Sequence, residues 1–281
     1  MNHLFRTAYI PFALLLCLLL ACSEQAPADA AKAPESVAAT ETQEEKSGSD
    51  HTVAALPGLP ARPDAHPQEP SQEYLMGKFS PQSRPDFAVV KKPYTTRSGM
   101  MLRKEALAAF EKMWTAAQAE GVKLDIISST RTFQQQKAIW EGKWLRFAKQ
   151  YPDPQTRALK ILEYSSMPGS SRHHWGTDVD LNDLNNAAFE KGGKHEKVYA
   201  WLAAHAHEYG FCQPYTPGRP HGYQEEKWHW SYVPLSKPLL GAYAKSLTDA
   251  AFSGFQGAET AASIQVAKHY VLGVNADCAT D

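Results

Sequence analysis

The sequence has few cysteines, almost no net charge and a long segment without aromatic residues. The formal net charge is −1 in 281 residues. Without a positive excess there is no electrostatic basis for binding nucleic acid, so we expect no nucleic-acid partner. Residues 23–70 contain no phenylalanine, tryptophan or tyrosine, and a segment of this composition cannot bury enough apolar surface to offset its ordering entropy. We therefore predict a disordered tether over residues 23–73.

A strongly apolar run lies near the N-terminus, from Ala8 to Ala21, and follows Arg6. A short basic segment followed by such a run is typical of an export signal. The run is shorter than the ~20 residues that a membrane-spanning helix needs. Cys22 follows the small Ala21, as the lipid-modified cysteine of a bacterial lipoprotein does. We predict a lipoprotein signal peptide over residues 1–22 and a lipid anchor at Cys22, with an ordinary cleaved signal or a short membrane anchor as the alternatives.

Export changes what the cysteines imply. Of the four cysteines, Cys17 lies in the signal and Cys22 would carry lipid, which leaves Cys212 and Cys278. An even pair in an oxidising compartment predicts a disulfide between them, and two unrelated thiols are the alternative. We expect an exported monomer that is lipid-anchored to a membrane of the bacterial cell envelope and faces the periplasm.

Beyond Tyr74, where aromatic residues return, the pattern predicts a mixed domain over residues 74–255 and a C-terminal tail over 256–281. Apolar spacing, a Thr132–Gln135 capping box and terminal glycines predict helices over 101–121, 133–150, 197–210 and 256–272. Alternation and short apolar runs predict strands over 122–129, 177–181 and 227–233. Helices grouped with a few short strands indicate an α+β domain.

Two stretches of the sequence carry candidate metal ligands. His173 and Asp180 lie seven residues apart around Gly176, and Glu226 stands three residues before His229. A catalytic zinc needs three protein ligands and one open position. His173, Asp180 and His229 supply that number, and Glu226 would supply a base. The alternative for the first stretch is a polar turn that is closed by side-chain hydrogen bonds.

A third stretch, "SSTRTFQQQ", occupies residues 128–136. It places Arg131 at the junction between a predicted strand and the following predicted helix. This position suits a catalytic side chain, and a surface salt bridge is the alternative interpretation of the arginine.

Together, these stretches resemble the VanY-type D-alanyl-D-alanine carboxypeptidases, within the wider group of metallopeptidases that includes lysostaphin and the sonic hedgehog domain. The family pattern Ser-x-His-x-x-Gly-x-Ala-x-Asp is matched by Ser171, His173, Gly176 and Asp180. The pattern Glu-x-Trp-His is matched by Glu226, Trp228 and His229. The pattern Ser-x-x-Arg-Ser…Gln is matched by Ser128, Arg131, Thr132 in place of serine, and Gln136. The likeness covers roughly residues 74–235.

The resemblance implies the α+β fold of hedgehog-like and DD-peptidase-like zinc peptidases, with a small antiparallel sheet and flanking helices. It implies a Zn²⁺ cofactor and removal of the C-terminal D-alanine from peptidoglycan stem peptides. Arg131 is implied to stabilise the oxyanion or to hold the substrate carboxylate, and Ser171, Gln136 and Ser128 to bind substrate. An L,D-carboxypeptidase, an endopeptidase that cuts cross-links and a non-catalytic cell-wall-binding lipoprotein remain as alternatives. The presence of Glu226 argues against the last of these alternatives, because a non-catalytic protein would not need to keep the base.

One position departs from the family pattern. Asp178 replaces its alanine and brings a second carboxylate to the predicted site. We expect Asp178 to orient His173 or His174 from outside the ligand set, and competition with Asp180 for the metal is the alternative. We expect His174 to point away from the metal, in a structural or substrate-facing role.

Overall fold

The computed structural model describes residues 70–279. The predicted signal peptide, the predicted lipid anchor at Cys22 and nearly all of the predicted tether lie outside the described residues. The first described helix spans Gln72–Leu75 and is capped by the Ser71 side chain, two residues ahead of the predicted domain start. None of the helices within residues 70–279 combines the length and the hydropathy of a membrane-spanning segment.

Helices surround two small sheets in the described part of the chain. The α-helices are α1 (Gln72–Leu75), α2 (Lys104–Ala119), α3 (Phe133–Phe147), α4 (Pro154–Leu162), α5 (Glu196–His205), α6 (Val233–Ser246) and α7 (Ala261–Ile264). The strands are β1 (Phe87–Val89), β2 (Met101–Arg103), β3 (Ile126–Ser128), β4 (Asp178–Leu181), β5 (Phe211–Cys212) and β6 (His229–Tyr232). All strand pairs are antiparallel. The predicted α+β class, with a small antiparallel sheet and flanking helices, is confirmed.

The larger sheet positions the candidate ligands. Its strands run in the order β3-β4-β6-β5, and the register of the middle pair sets Asp180 opposite His229. Successive side chains of a strand point to opposite faces of the sheet. Val179 and Trp230 therefore share the face that packs into an apolar core with α2 and α5. Asp178, Asp180 and His229 lie on the other face.

A second apolar core joins α3, α4, α6 and the C-terminal segment. Trp140, Ile161, Leu240 and Ile264 are buried in it. It also contains Trp175, so the turn that carries His173 and His174 is held by this core. Full burial of one such side chain contributes ~1.5–3 kcal/mol, so the turn is firmly supported.

The C-terminal segment is not the single helix predicted for 256–272. It forms a 3₁₀ turn at Ala258–Thr260, then α7, then a π-helical turn at Ala267–Val271. Gln265 ends α7 because its φ of 59° is left-handed and cannot continue a right-handed helix. The predicted disulfide is confirmed: it joins Cys278 in this segment to Cys212 on β5.

Candidate metal centre

A turn and two strands bring the three predicted metal ligands together. His173 lies on the 3₁₀ turn Arg172–Trp175, Asp180 lies on β4, and His229 begins β6. Gly176 ends the turn with a φ of 74°, a conformation that glycine adopts at little cost, and a Cβ here would collide with an aromatic ring of β1. One donor atom from each ligand lies within 4.8 Å of the others, and all three residues are buried.

Hydrogen bonds decide which nitrogen of each imidazole faces the centre. His173 Nδ1 lies 2.8 Å from the carbonyl oxygen of Ser129. It must donate to that oxygen, so Nε2 keeps its lone pair. His229 Nε2 lies 3.0 Å from Asp178 Oδ1 and donates to it, so in the neutral ring that a metal ligand requires Nδ1 keeps the lone pair. These two nitrogens lie 3.2 and 3.3 Å from Asp180 Oδ1.

The three donor atoms fit a catalytic zinc ion. His173 Nε2 and Asp180 Oδ1 are buried and have no hydrogen-bond partner among the described residues. A buried polar group without a partner costs ~1–3 kcal/mol, and a metal ion removes this cost for both. Two imidazole nitrogens and a carboxylate oxygen are donor types that Zn²⁺ prefers, and a set of three leaves one position open.

The charges of the centre favour a bound cation. Burial raises the pKa of Asp180, but the imidazoles of His173 and His229 outweigh it and hold that pKa well below its usual value. Burial lowers the pKa of His173 and favours the neutral ring that a metal ligand needs. Burial also lowers the pKa of His229, but the carboxylates around the ring outweigh it and raise this pKa well above its usual value. The carboxylates thus attract positive charge to the point where the donors meet.

Glu226 stands beside the centre and outside the ligand set. Its Oε2 lies 3.2 Å from His229 Nδ1, and its backbone N–H donates to the carbonyl of Tyr215 at 3.0 Å. Burial raises the pKa of Glu226, although the neighbouring His229 opposes the shift. A carboxyl group with a raised pKa can take up a proton and return it during a reaction near neutral pH.

The structure corrects the predicted role of Asp178, which contacts His229 and not His173 or His174. Its Oδ1 accepts hydrogen bonds from His229 Nε2 at 3.0 Å and from Arg172 Nε at 3.1 Å. The carboxylate and the guanidinium are both completely buried. Burial raises the pKa of Asp178, but the Arg172 charge and the hydrogen bond and charge of His229 together outweigh it and lower this pKa below its usual value, so the carboxylate is ionised. Asp178 therefore sets the orientation of a ligand and is not one of the three ligands.

His174 points away from the centre, as predicted. Its Nδ1 donates to the carbonyl of Arg131 at 2.7 Å, and its Nε2 accepts from the N–H of Gly169 at 3.0 Å. Burial lowers the pKa of His174 to about 3, so the ring is neutral. It ties the loop of Arg131 to the turn that precedes His173, which is the structural role.

The centre opens onto a cavity of about 300 Å³. Its walls include the three ligands, Glu226 and two further predicted residues, Arg131 and Gln136. Gln136 Nε2 donates to the carbonyl of Ser166 at 2.8 Å, while its buried Oε1 has no partner within the described part of the chain. Arg131 and Gln136 thus reach the space where a substrate would lie.

Two predicted substrate-binding residues do not line this cavity. Ser171 is buried just before the turn, and its hydroxyl has no hydrogen-bond partner within residues 70–279. Ser128 ends β3 opposite Asp180. The substrate-binding roles of Ser171 and Ser128 stay predictions.

Several cavity residues were missed at the level of sequence. They are Ile139, Lys143, Tyr164, Leu184, Tyr215 and Tyr223. A signal existed for Ile139 and Lys143, because they lie three and seven residues after Gln136 on one face of α3. No local pattern marks the two tyrosines of the loop before β6, although the ring of Tyr215 packs on the imidazole of His229 with centroids 4.8 Å apart.

We expect the substitution Asp178→Asn to weaken metal binding by ~10–100-fold, the usual effect of losing a partner that orients a ligand. The amide cannot match a carboxylate that accepts from both Arg172 and His229. Competition with a chelator of known affinity measures the change, and thermal unfolding of the metal-free protein separates it from a loss of folding. Asp183→Asn is the matched control, since Asp183 pairs with the exposed Lys194. Equal zinc affinity in Asp178→Asn and the parent would contradict the orienting role.

Comparison with known proteins identifies relatives of the region that holds this centre. Residues 99–235 match the family model described as VanY, D-alanyl-D-alanine carboxypeptidase. A D-alanyl-D-alanine carboxypeptidase of Enterococcus faecalis is 31% identical over 126 residues, which are 44% of this chain and 45% of that protein. The chain therefore spans less than half the length of this relative.

Solved structures of similar proteins include VanYB and an LD-carboxypeptidase. VanYB in complex with D-alanine-D-alanine is 22% identical with a TM-score of 0.44, over 58% of this chain and 86% of that chain. The LdcB LD-carboxypeptidase is 25% identical with a TM-score of 0.44, over 53% of this chain and 69% of that chain.

Proposed function

We propose that the protein is a zinc-dependent carboxypeptidase, because residues 99–235 match the family model described as VanY, D-alanyl-D-alanine carboxypeptidase. Its substrates are peptidoglycan stem peptides, from which it removes the C-terminal D-alanine. The observation that carries the proposal is the buried set of His173, Asp180 and His229 with Glu226 at its side. Three ligands, one base and an adjoining cavity are the parts that metal-assisted peptide hydrolysis requires.

Glu226 moves the protons of the reaction. Zn²⁺ in this centre would act as a Lewis acid that polarises the scissile carbonyl and makes a water molecule more acidic. The Glu226 carboxylate takes the proton of the attacking water and then gives it to the nitrogen of the departing D-alanine. The raised pKa of Glu226 suits both roles. A carboxylate of lower pKa would accept the proton of water less readily, and the proton that Glu226 accepts remains acidic enough to be passed on.

Arg131 faces the negative charge that develops on the carbonyl oxygen. Its side chain lines the cavity, and its buried Nε has no partner among residues 70–279. Its backbone is held by both neighbouring histidines: the N–H donates to the carbonyl of His173 at 3.1 Å, and the carbonyl accepts from His174. A cation fixed in this way stabilises charge in the transition state without reorganising.

Defined muropeptides test this function. The purified protein, loaded with zinc, is incubated with a pentapeptide, a tetrapeptide and a cross-linked dimer, and the products are identified by mass. We expect loss of one alanine from the pentapeptide. Loss from the tetrapeptide alone would assign an L,D-carboxypeptidase instead, and cleavage of the dimer alone would assign an endopeptidase. No change in any of the three would refute peptidase activity.

We further propose that the protein is exported and anchored by lipid at Cys22. Peptidoglycan lies outside the cytoplasm, so the proposed substrate requires export. The disulfide between Cys212 and Cys278 supports the proposal, because such bonds persist in oxidising compartments.

Replacement of Cys22 tests the anchor. We expect Cys22→Ala to lose incorporation of labelled palmitate and to leave the membrane fraction of expressing bacteria. Cys17→Ala is the control and should keep both, since Cys17 lies within the predicted signal. Labelling of Cys22→Ala at the level of the parent would contradict lipidation at this position.

A further inference from the structure

Two cationic side chains face the cavity, and neither has an anionic partner among the described residues. Arg131 and Lys143 both line the cavity. The Arg131 Nε is without any partner in the described part of the chain, and the hydrogen bond of the Lys143 ammonium goes to a neutral hydroxyl. Cations held near a cavity without carboxylate partners favour anionic ligands. The cavity therefore presents two cationic groups to a substrate, beside the carboxylates of Asp180 and Glu226.

Lys143 is held in place by Ser165. Its Nζ donates to Ser165 Oγ at 2.5 Å, and Ser165 is 9% exposed. An ammonium has three donors, so two remain for a ligand. Burial lowers the pKa of Lys143, Arg146 adds to the shift and Glu226 opposes it. An anion beside the ammonium would offset the free-energy cost of burying its charge away from water.

The rim next to Lys143 is apolar. Ile139, Tyr164 and Leu184 line the same cavity and are 36%, 48% and 57% exposed. Large apolar side chains that remain exposed around a cavity indicate a binding surface. A cation beside such a rim suits a peptide that carries both a carboxylate and small apolar side chains.

We propose that Lys143 and Ser165 form a carboxylate-binding subsite for the stem peptide. This inference rests on the proposed function and adds to it. Hydrolysis develops one negative charge at the scissile carbonyl, which Arg131 faces. Lys143 would therefore bind a second negative charge, one that the substrate carries permanently. Stem peptides have two such groups: the C-terminal carboxylate of the leaving residue and a side-chain carboxylate within the stem.

Binding to an inactivated protein tests the subsite without requiring turnover. The probes are acetylated tripeptides that end in D-Ala-D-Ala, as the free acid or the C-terminal amide, with a neutral or an acidic first side chain. Their affinities are measured by calorimetry on the zinc-loaded Glu226→Gln variant. We expect the form that carries the recognised carboxylate to bind ~10–100-fold more tightly, which is the usual weight of hydrogen bonds to a charged group.

Lys143→Met in the same background should remove this preference, and Lys143→Arg should restore part of it. If Lys143→Met abolishes the tighter binding of the free acid relative to the amide, the subsite holds the C-terminal carboxylate. If it abolishes the tighter binding of the acidic side chain relative to the neutral one, the subsite holds the side-chain carboxylate. Lys137→Met is the matched control: Lys137 lies on the same helix, pairs with Glu141 and does not line the cavity. It should keep the preference.

Equal weakening of all four probes by Lys143→Met, or no weakening of any, would overturn the inference. Zinc content and thermal unfolding check each variant, and Lys143→Gln replaces Lys143→Met if the latter does not fold. The same peptides, given to the active parent, test the proposed function separately. A parent that releases no alanine but shows a Lys143-dependent carboxylate preference would refute the peptidase and retain the subsite.

Discussion

Glu226→Gln is expected to lower kcat by ~10²–10⁴-fold, the usual contribution of a general acid–base group, and to leave bound zinc unchanged. The amide keeps the size of the side chain but cannot take a proton from water. Glu226 is not one of the three ligands, so its replacement leaves all three donor atoms in place. Release of D-alanine from a pentapeptide measures kcat, and elemental analysis measures the zinc.

Glu225→Gln is the matched control for this experiment. Glu225 precedes Glu226 in the chain, and its carboxylate lies 3.8 Å from Lys227 and outside the cavity lining. It should keep the activity of the parent. Unchanged turnover in Glu226→Gln would show that another group moves the protons, and loss of zinc from this variant would place Glu226 among the ligands.

His229→Ala is expected to empty the metal centre. The substitution removes one donor of three and leaves a carboxylate and a single imidazole, so zinc content after dialysis should fall from about one ion per chain to near zero. Activity should fall with it. Elemental analysis of the dialysed protein is the measurement, and a zinc content equal to that of the parent would refute the ligand set.

Two further variants make the His229 result specific. His229→Gln keeps a side chain that can donate to Asp178, so that the buried pair of Asp178 and Arg172 is less disturbed. It should lose zinc and keep a thermal unfolding midpoint closer to that of the parent. His205→Ala is the control histidine, since His205 lies half-buried on α5, outside the cavity lining, and pairs with Glu208, and it should keep both zinc and activity.

Local signals in the sequence were sufficient for several elements. The Thr132–Gln135 capping box does open α3, with both reciprocal hydrogen bonds present. Alternation within residues 177–181 correctly placed Asp178 and Asp180 on one face of a strand. These features depend on neighbours within a few residues, so the chain specifies them before any tertiary contact forms.

Two of the helices that were not predicted, α4 and α6, were missed for different reasons. The start of α4 could have been predicted from the sequence. Asp153 caps the helix and Pro154 occupies its first turn, and this combination is typical of helix N-termini. α6 breaks a local rule, since Pro238 lies inside it and proline removes a backbone hydrogen bond of a helix. Buried Leu240 and Tyr243 hold α6 against the second core, so tertiary packing overrides the local preference.

The sequence by itself identified the three residues that meet at the candidate centre, because two histidines and an aspartate are ligand types that zinc binds and the motifs that contain them resemble those of a known family. Only the tertiary structure decided what surrounds them. Alternation puts Asp178 on the face of Asp180 but does not say which histidine it meets; the register of β4 and β6 brings it to His229. The helical spacing of α3 places Lys143 on the same face as Gln136, but only the packing of α3 beside the centre turns this face towards the cavity. Such contacts join residues far apart in the chain, and no local pattern encodes their distance.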